Sequence, residues 1–540
     1  MKPDQEPVTG TLAGGRSDLA VVCILYSLAH GLLLLNSGVF WDDWVVFGMR
    51  PDLIRTLYYE VGLPPGYFYH RIVDWVLGHR IVTFLSFLLA SVALHQVLSR
   101  VRDLTRFERV SVVLVFALIP TASARISTVV AWYATCYALF FGAFWLMAAY
   151  LERRSIWLRL AALVLFVNSF FLQSLLVLYA IPLLYLLAWH RPEIRSAGAM
   201  WRLFLRYADF FLLALVFWVL KSLALRPYGF LAGYNEVSAQ GMLRALQYLD
   251  DAFVAAVLNV LVNAIRAGLD RIVVTSVIAA ALAWYLFRQF GASNEEVAAD
   301  KKKRTLAWLC LGVVATFLGL FPYLAVARID MSSDWDSRHQ LLVPLGAAFL
   351  LVFVAKGVLK RKAKLVAIAV VVACFVTANL ATWTAFQRDW YKQLSLVQSF
   401  RSSLLVREAR HLLIDDRASS LDALRREYRF YEYAGLLHRA FGDEQRLARA
   451  KHTIDRIPFE SLRPYLNERY RLGQFDARRS APDTLVVVEI GTYPLSLRNL
   501  IALRYYESFD EEKFLERIAT VLQLCAAPVE SADHVCSKGT

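Results

Sequence analysis

The sequence predicts an α-helical polytopic membrane protein with about eleven transmembrane helices and a C-terminal α/β extracytoplasmic domain. Of the 540 residues, 58% are hydrophobic and 14% aromatic, and the mean hydropathy is +0.45, which is too apolar for a protein with a fully wetted surface. Apolar stretches close to the roughly 20 residues that cross a bilayer recur from Leu19 to about Phe386, whereas the rest is charged and mixed. We therefore expect a transmembrane domain over residues 1–388 and a second domain over residues 389–540.

Eleven apolar stretches are predicted to span the membrane. They lie near residues 19–39, 81–99, 109–123, 128–150, 156–171, 173–189, 206–225, 271–288, 305–327, 341–358 and 365–386. The stretch 236–268 is amphipathic, and Asn259 and Asn263 interrupt its short apolar core, so we expect it to lie at the membrane interface. The odd number of spans then places the two ends of the chain on opposite sides of the membrane.

Basic residues predict the orientation. The net charge of +14 would suit nucleic acid, but Lys and Arg lie in short clusters between apolar stretches rather than on one face. The clusters fall at residues 100–109, 153–159, 191–206, 301–304 and 356–364. Because cytoplasmic loops carry the excess of Lys and Arg, we expect a cytoplasmic N-terminus and a C-terminal domain on the other side.

The tail is predicted to be a small α/β domain. A helical pattern runs from Trp390 to Glu408, and strand patterns occur at His411 to Ile414 and at Leu485 to Ile490. The tail also holds Cys525 and Cys536. An oxidising compartment would let this pair form a disulfide, although two cysteines alone do not decide it.

Acidic and aromatic residues collect after the first span. The loop opens with Trp41, Asp42, Asp43 and Trp44 and continues through Glu60, Tyr67, His70 and Arg71. Adjacent carboxylates at a membrane boundary repel each other unless they are solvated, bind a cation or accept a proton during a reaction. The alternative is that the two tryptophans form an interfacial anchor and the aspartates are only a hydrated start of the loop.

A second polar group precedes the tenth predicted span. It comprises Asp334, Asp336, Ser337, Arg338 and His339. A guanidinium stays charged and makes paired hydrogen bonds to phosphate, which suits Arg338 for a phosphate ligand, whereas the alternative is a turn with interfacial anchors. Lys221 in the outer half of a span and Arg125 after the third span could meet the same phosphate, or could be a snorkelling and a structural cation.

These features together resemble the membrane-embedded GT-C glycosyltransferase superfamily, which includes protein O-mannosyltransferases and the lipid A aminoarabinose transferase. In those enzymes an acidic motif of the Asp-Glu type follows the first span, and a Pro-Pro-containing helix leads towards the second. Asp42 and Asp43 match the acidic motif, and Leu63 to Tyr69 match the Pro-Pro region. The second acidic residue is Asp rather than Glu, which leaves open which carboxylate is catalytic. Ser-Arg-His at 337–339 resembles the Ser-Arg-Tyr signature before a late span.

The resemblance implies an inverting glycosyltransferase that moves a hexosyl or pentosyl group from a polyprenyl-phosphate donor. The acceptor would be a cell-envelope glycan, lipid or protein on the periplasmic face of a bacterial inner membrane. Asp42 or Asp43 would be the general base, and the donor phosphate would be bound by Arg338, His339, Lys221 and Arg125. Substrate contacts are expected from Trp41, Trp44, Glu60, Tyr67, His70, Arg71, Asp334 and Asp336. The sequence does not decide whether Mg²⁺ or Mn²⁺ is bound by the aspartate pair with Asp334 or Asp336.

Two other functions stay open from the sequence. An O-antigen ligase or polymerase would be expected to use several arginines in a large late loop, but the loop 328–340 is short. A lipid or polysaccharide transporter or flippase often has duplicated halves or broken helices with charges at mid-membrane depth, and the sequence shows neither. No Gly-rich phosphate loop, nucleophile-elbow serine or His-Glu-x-x-His pattern is found. The sugar, the acceptor and the oligomeric state are not specified by the sequence.

Overall fold

The computed structural model describes residues 11–46, 51–229, 232–233, 237–291, 301–326, 328, 334–442, 446–451 and 482–529. The side chains of residues 11–16, 51, 244, 301 and 334 lie outside the described part. Of the described residues 77% are helical, and a small mixed sheet lies in the C-terminal region.

Twenty α-helices lie between residues 11 and 402 within the described part of the chain. They are α1 (Thr11–His30), α2 (Leu32–Leu35), α3 (Asp43–Val46), α4 (Pro51–Glu60), α5 (Pro64–Ile72), α6 (Val76–Leu98), α7 (Arg106–Leu118), α8 (Ala131–Arg153), α9 (Ile156–Ser169), α10 (Ser174–Leu178), α11 (Ala180–Trp189), α12 (Ala197–Arg206), α13 (Ala208–Ala224), α14 (Ala239–Gln247), α15 (Leu249–Phe253), α16 (Asn259–Asp270), α17 (Ile272–Phe290), α18 (Lys301–Leu324), α19 (Val343–Val358) and α20 (Arg361–Ser402). Short 3-10 helices lie at Ser123–Ile126, Arg191–Glu193 and Asp334–Gln340, and a π-helical turn lies at Val254–Leu258.

Seven helical stretches in the described part are long and apolar enough to cross a membrane. They are Ser17–Leu35, Val76–Leu98, Ala131–Arg153, Leu249–Asp270, Ile272–Phe290, Lys302–Leu324 and Arg361–Ser402. Helices α12 and α13 together form an eighth, bent by 64°, and shorter apolar helices lie at Ile156–Ser169, Ser174–Trp189 and Val343–Val358. The chain therefore has the fold of a helical polytopic membrane protein, while the number of eleven spans stays a prediction.

The span predicted at 109–123 corresponds to helix α7, which is too short to cross a bilayer core on its own. Pro120 follows Ile119, and the residue before a proline is disfavoured in a helix, so α7 ends at Leu118. Its 13 residues give a length of about 20 Å, against the roughly 30 Å of a bilayer core. Almost every side chain of α7 is buried, because α1, α6, α19 and α20 surround it.

The stretch predicted to lie at the interface, 236–268, contains a helix that qualifies as a span by length and composition. Contacts with α20 show where this helix ends. Gly268 of α16 packs against Cys374, and Thr275 Oγ1 of α17 lies 3.0 Å from Thr377 Oγ1. The break between α16 and α17 therefore lies beside α20, about four turns from the start of α20. It does not lie at an end of the bundle. These contacts favour one broken crossing over two complete ones, and the interfacial position stays a prediction.

One end of the bundle, which we call the basic end, is defined by Arg106, Arg304, Lys356, Arg361 and Lys364. Arg106 pairs with Asp18 at 2.7 Å, and both Arg304 and Lys356 pair with Glu108. Arg361 donates to the carbonyl of Phe290 at the end of α17, and Lys364 lies over Phe107. Three of the five basic clusters that the sequence predicts on one side thus meet at one end, whereas which side is cytoplasmic stays a prediction.

The tail contains a four-stranded sheet flanked by helices. The strands are β1 (His411–Asp416), β2 (Leu447–Ala450), β3 (Thr484–Ile490) and β4 (Leu522–Pro528), and the helices are α21 (Leu404–Glu408), α22 (Phe430–Phe441), α23 (Leu497–Phe509) and α24 (Glu511–Ala519). The order is β2-β1-β3-β4, with β1 parallel to β2 and β3 and with β4 antiparallel to β3. The two strands predicted from the sequence are confirmed as the central pair.

Helix α20 connects the two parts of the molecule. It is 42 residues long, so the boundary predicted after residue 388 falls inside it. Its last turns form the core of the tail, where Trp390, Leu396 and Phe400 are buried. Cys525 on β4 is disulfide-bonded, and the other cysteine of the predicted pair, Cys536, lies outside the described residues.

Candidate functional site

The two aspartates after the first span have different surroundings. We call residues 41–46 the acidic loop. Asp43 is 1% exposed and accepts hydrogen bonds from Ser127 Oγ at 2.5 Å, the backbone N–H of Val129 at 3.1 Å and that of Phe40 at 3.4 Å. Burial has the largest effect and raises the pKa of Asp43, although the charge of Arg80 and the hydrogen bonds from residues 127–129 act to lower it. Asp43 is therefore a buried anchor that connects the acidic loop to residues 127–129.

Asp42 is half-buried and has a free oxygen. Its Oδ1 accepts one hydrogen bond, from the hydroxyl of Tyr431 on α22 at 2.9 Å. Within the described residues its Oδ2 has no hydrogen-bond partner. Asp42 is therefore the more accessible of the two carboxylates.

Both tryptophans of the acidic loop are buried between the tail and the membrane helices. Trp41 is 0% exposed and packs on Trp335 and Phe386, with ring centroids 5.4 and 5.5 Å apart. Trp44 lies against Gly435 of α22, where an added Cβ would come within 2.4 Å of the indole. This burial contradicts the alternative of an interfacial anchor. Fully enclosed side chains are suited to shaping the site, because they offer little surface to a substrate.

The backbone of Trp41 is held in an unusual conformation. Its φ of 49° lies in the left-handed region, which is costly for a residue with a large side chain. The Trp41 N–H donates to Glu432 Oε1 at 3.0 Å, and Arg426 lies over the indole. Contacts from the tail thus fix the start of the acidic loop.

Two further turns meet the acidic loop. We call Ser123–Ile126 the Arg125 turn and Asp334–Gln340 the Arg338 turn. Ser337 Oγ accepts the N–H of Ala124 at 2.9 Å and lies 3.0 Å from Ser123 Oγ. Since Ser127 binds Asp43 and Trp335 packs on Trp41, the two polar groups predicted from distant parts of the sequence are in contact.

Arg125 is a buried cation without a described carboxylate partner. It is 5% exposed, donates to the carbonyls of Ala122 at 3.2 Å and Thr121 at 2.5 Å, and lies 4.6 Å from the centre of the Phe87 ring. Burial lowers the pKa of its guanidinium. Arg125 lines a small cavity of about 10 Å³, which has room for about one water molecule, together with Phe87, Ser91, Phe116, Ala117, Thr121, Ala122, Tyr137, Leu341 and Pro344. A buried cation beside a cavity favours an anionic ligand.

Arg338 is held in the wall of the same region. Its Nη1 donates to the carbonyl of Trp335 at 2.9 Å, and its guanidinium lies 4.4 Å from the centre of that ring. Asp336 lies 3.4 Å from Arg338 and 3.8 Å from His339. His339 is buried and packs on Tyr323. Asp334 begins the turn, and its side chain lies outside the described part.

Lys221, near the end of α13, is 7% exposed. Its ammonium makes no hydrogen bond or ion pair with a described residue, and Cys136 is the group that interacts with it electrostatically. No described contact joins Lys221 to Arg125 or Arg338, so its predicted role in phosphate binding stays a prediction.

The remaining predicted residues lie on α4 and α5. The carbonyl of Glu60 accepts the N–H of Tyr228 at 3.0 Å, and its carboxyl group lies near Gly229, so the end of α4 contacts the loop after α13. Tyr67 is half-buried beside Phe68, and Arg71 is exposed. The structure does not bring Tyr67 and Arg71 to the acidic loop.

His70 belongs to a buried aromatic group. Its ring lies 5.2 Å from Tyr58, 5.3 Å from Tyr69 and 4.9 Å from His79, measured between centroids. In the described structure its Nε2 has no hydrogen-bond partner, and burial lowers the pKa of the imidazole to about 4.

The pKa of His70 predicts an acid sensitivity. Because the folded pKa lies below the unfolded value of about 6.5, the unfolded state binds the proton first, and stability falls as the pH drops from about 6.5 to 4. Thermal unfolding at pH 8 and pH 5 should show that wild type loses about 2 kcal/mol more than His70→Phe over this interval. Equal losses of stability in wild type and His70→Phe would contradict the lowered pKa of His70.

Several residues of the site were not predicted from the sequence. Arg80 is 1% exposed and donates to the carbonyls of Gly38 at 2.7 Å and Asn36 at 3.4 Å, so it supports the segment before the acidic loop. The sequence did contain a signal for Arg80, because an arginine in an apolar helix is costly and therefore marks a position with a specific role. Tyr431 and Glu432 have no such signal, because they reach the acidic loop only through the fold of the tail.

No group of three or more His, Cys, Asp and Glu residues that could hold a metal ion is found in the described part of the chain. The side chain of Asp334 is not included in that part, so the question of Mg²⁺ or Mn²⁺ stays open.

No protein-family model matches this chain, and no curated protein matches it at a significant level.

Proposed function

We propose that the protein is a glycosyltransferase of the GT-C type that moves a sugar from a polyprenyl-phosphate donor to a cell-envelope acceptor. The observation that carries this proposal is the contact between three loops that are far apart in the sequence. They place a carboxylate with a free oxygen, Asp42, at the same end of the bundle as the buried cation Arg125 and the half-buried cation Arg338.

The proposed chemistry needs two kinds of groups. A sugar attached to a phosphate has a good leaving group, so transfer requires a base for the acceptor hydroxyl and positive charge for the departing phosphate. Asp42 takes the proton of the acceptor hydroxyl while the acceptor oxygen bonds to the anomeric carbon and the bond from that carbon to the phosphate oxygen breaks. The electron pair of that bond stays on the phosphate, and the anomeric carbon is inverted.

Phosphate recognition is assigned to Arg125 and Arg338. Arg125 is the stronger candidate, because its charge is buried and its described partners are neutral carbonyl groups and a ring. The small cavity beside it is lined mainly by apolar residues. His339 and Lys221 are proposed as secondary ligands.

Binding of polyprenyl phosphate to the protein in lipid nanodiscs tests the assignment. Arg125→Gln should weaken binding at least about tenfold, because it removes a charge-assisted contact in a buried site, and Arg125→Lys should retain part of it. Arg102→Gln is the matched control, since Arg102 is exposed in the loop before α7, next to the basic end. Equal affinities for wild type and Arg125→Gln would exclude this phosphate site.

The orientation is part of the proposal. The positive-inside asymmetry and the disulfide-bonded Cys525 support a bacterial inner membrane with the tail in the periplasm, because disulfides persist in oxidising compartments.

A specific observation favours a second function, a transporter or flippase of lipid-linked sugars. The sequence shows no broken helix, but the structure contains the bent pair α12 and α13 and the break between α16 and α17. Broken helices line binding sites in many transporters. A flippase would move the labelled lipid across vesicle membranes equally well with Asp42→Asn, and it would transfer no sugar.

A further inference from the structure

An exposed apolar stripe runs along α23 in the tail. Four side chains spaced four residues apart share one face of this helix, and they are Leu497, Ile501, Tyr505 and Phe509, exposed by 63%, 64%, 59% and 77%. On another face Leu500 and Leu503 are buried in the core of the tail. A contiguous row of large exposed hydrophobic residues on a domain surface indicates a binding surface.

Helix α23 lies at the level where the first membrane helix ends. Its Glu507 accepts hydrogen bonds from Ser37 Oγ at 3.3 Å and from the Tyr391 hydroxyl at 3.1 Å. Ser37 comes two residues after Leu35, the last residue of the first candidate span. Along that span Ile24, Leu28, Leu32 and Leu35 are exposed, as expected of a face that contacts lipid. The stripe of α23 is thus close to an apolar surface that lipid covers.

The position of α24 shows which way the stripe faces. Phe514 of α24 packs on Tyr391, and the N–H of Leu522 after α24 donates to Ser395 Oγ, so the chain rises along α20 away from the membrane. Tyr506 of α23 points at α24, because the Nζ of Lys513 lies 5.1 Å from its ring centre. At about 100° per residue, Leu497 and Ile501 lie about 140–180° from Tyr506 around the helix, and Tyr505 lies about 100° from it. The first half of the stripe therefore faces away from α24 and towards the membrane.

The charges next to the stripe fit a lipid surface. Arg498 is exposed, and Arg504 is half-buried and paired with Glu507. Around the helix Arg504 borders the stripe on one side, and Arg498 lies within it between Tyr505 and Phe509. A long arginine side chain beside apolar residues can reach the phosphate groups of the lipid. We propose that α23 inserts its stripe into the lipid leaflet beside the first span and so holds the tail against the membrane. This inference does not depend on the proposed enzymatic activity.

Fluorescence quenching in lipid nanodiscs tests the insertion. Ile501→Cys and Tyr505→Cys are labelled with a water-soluble NBD reagent in the full chain, and the unsubstituted protein, labelled in parallel, gives the background from its four free cysteines. Glu516→Cys is the matched control, since Glu516 is exposed on α24, the neighbouring helix on the side away from the membrane. All changes are at exposed positions, which preserves the core.

Insertion predicts that doxyl-labelled phosphatidylcholine quenches NBD at residues 501 and 505 at least about threefold more strongly than at residue 516. Equally weak quenching at all three positions would overturn the proposal. A blue-shifted emission at residue 501 without quenching would also overturn it, because the stripe would then be covered by protein, such as a second copy of the chain.

Discussion

Replacing Asp42 by Asn is expected to lower the rate of sugar transfer about 10²- to 10⁴-fold, the usual contribution of a general base. Asn keeps the size of the side chain and can still accept the hydrogen bond from Tyr431, but it cannot take a proton. The melting temperature should therefore stay close to that of wild type. The measurement is transfer of radiolabelled sugar from polyprenyl-phosphate donors to cell-envelope acceptors by the purified protein, with thermal unfolding recorded on the same samples.

Asp43→Asn is the matched control for this experiment. Its amide would present a donor to the N–H of Phe40 or to Ser127, so a buried hydrogen bond is lost and stability should fall by about 1–3 kcal/mol. A transfer rate that falls only in step with this destabilisation would confirm the anchoring role. Full activity of Asp42→Asn would remove Asp42 from the mechanism, and a normal melting temperature for Asp43→Asn would contradict the anchor.

Replacing Arg426 by Met is expected to have the largest effect on stability, about 3–5 kcal/mol, because it leaves two buried carboxylates without their partner. Arg426 is 2% exposed and binds Asp389 of α20 at 2.8 Å and Glu432 of α22 at 2.5 Å. Thermal or denaturant unfolding measures the loss. Transfer activity should fall as well, since Glu432 also holds the N–H of Trp41.

An ion pair at the surface provides the comparison for Arg426. Arg417 pairs with Asp415 and Glu489 while it is 47% exposed, so Arg417→Met should cost less than about 1 kcal/mol. Replacing Arg426, Asp389 and Glu432 together by apolar residues should recover much of the stability lost in Arg426→Met, because no unpaired charge is then buried. If Arg426→Met and Arg417→Met are equally stable, the buried ion pairs of Arg426 with Asp389 and Glu432 do not stabilise the tail.

Local patterns in the sequence predicted a large part of the fold. Long apolar runs identify helices such as α6, α8 and α20, because a helix in lipid must be apolar on nearly all sides. The central strands β1 and β3 were predicted because they are short apolar runs, typical of buried parallel strands. The edge strands β2 and β4 were not predicted, because the sequences of Leu447–Ala450 and Leu522–Pro528 have no pattern that differs clearly from that of a loop.

The site was only partly predictable. Asp42, Asp43 and Arg338 could be identified because charges next to apolar stretches are costly and therefore conspicuous. The different surroundings of the two aspartates could not be predicted. Ser127 contacts Asp43 from 84 residues away in the sequence, and Tyr431 contacts Asp42 from 389 residues away. The burial of Trp41 and Trp44 follows from the position of α22, which no local pattern encodes.

Helix α20 joins the membrane helices to the tail without a hinge. A single 42-residue helix transmits any tilt of the membrane part to the sheet, so the tail cannot swing aside as a lid does. We expect an acceptor to reach Asp42 from the side, without a movement of the tail, and the spent carrier lipid to leave within the plane of the membrane. The two molecules would then use separate routes, and neither would have to wait for the other to depart.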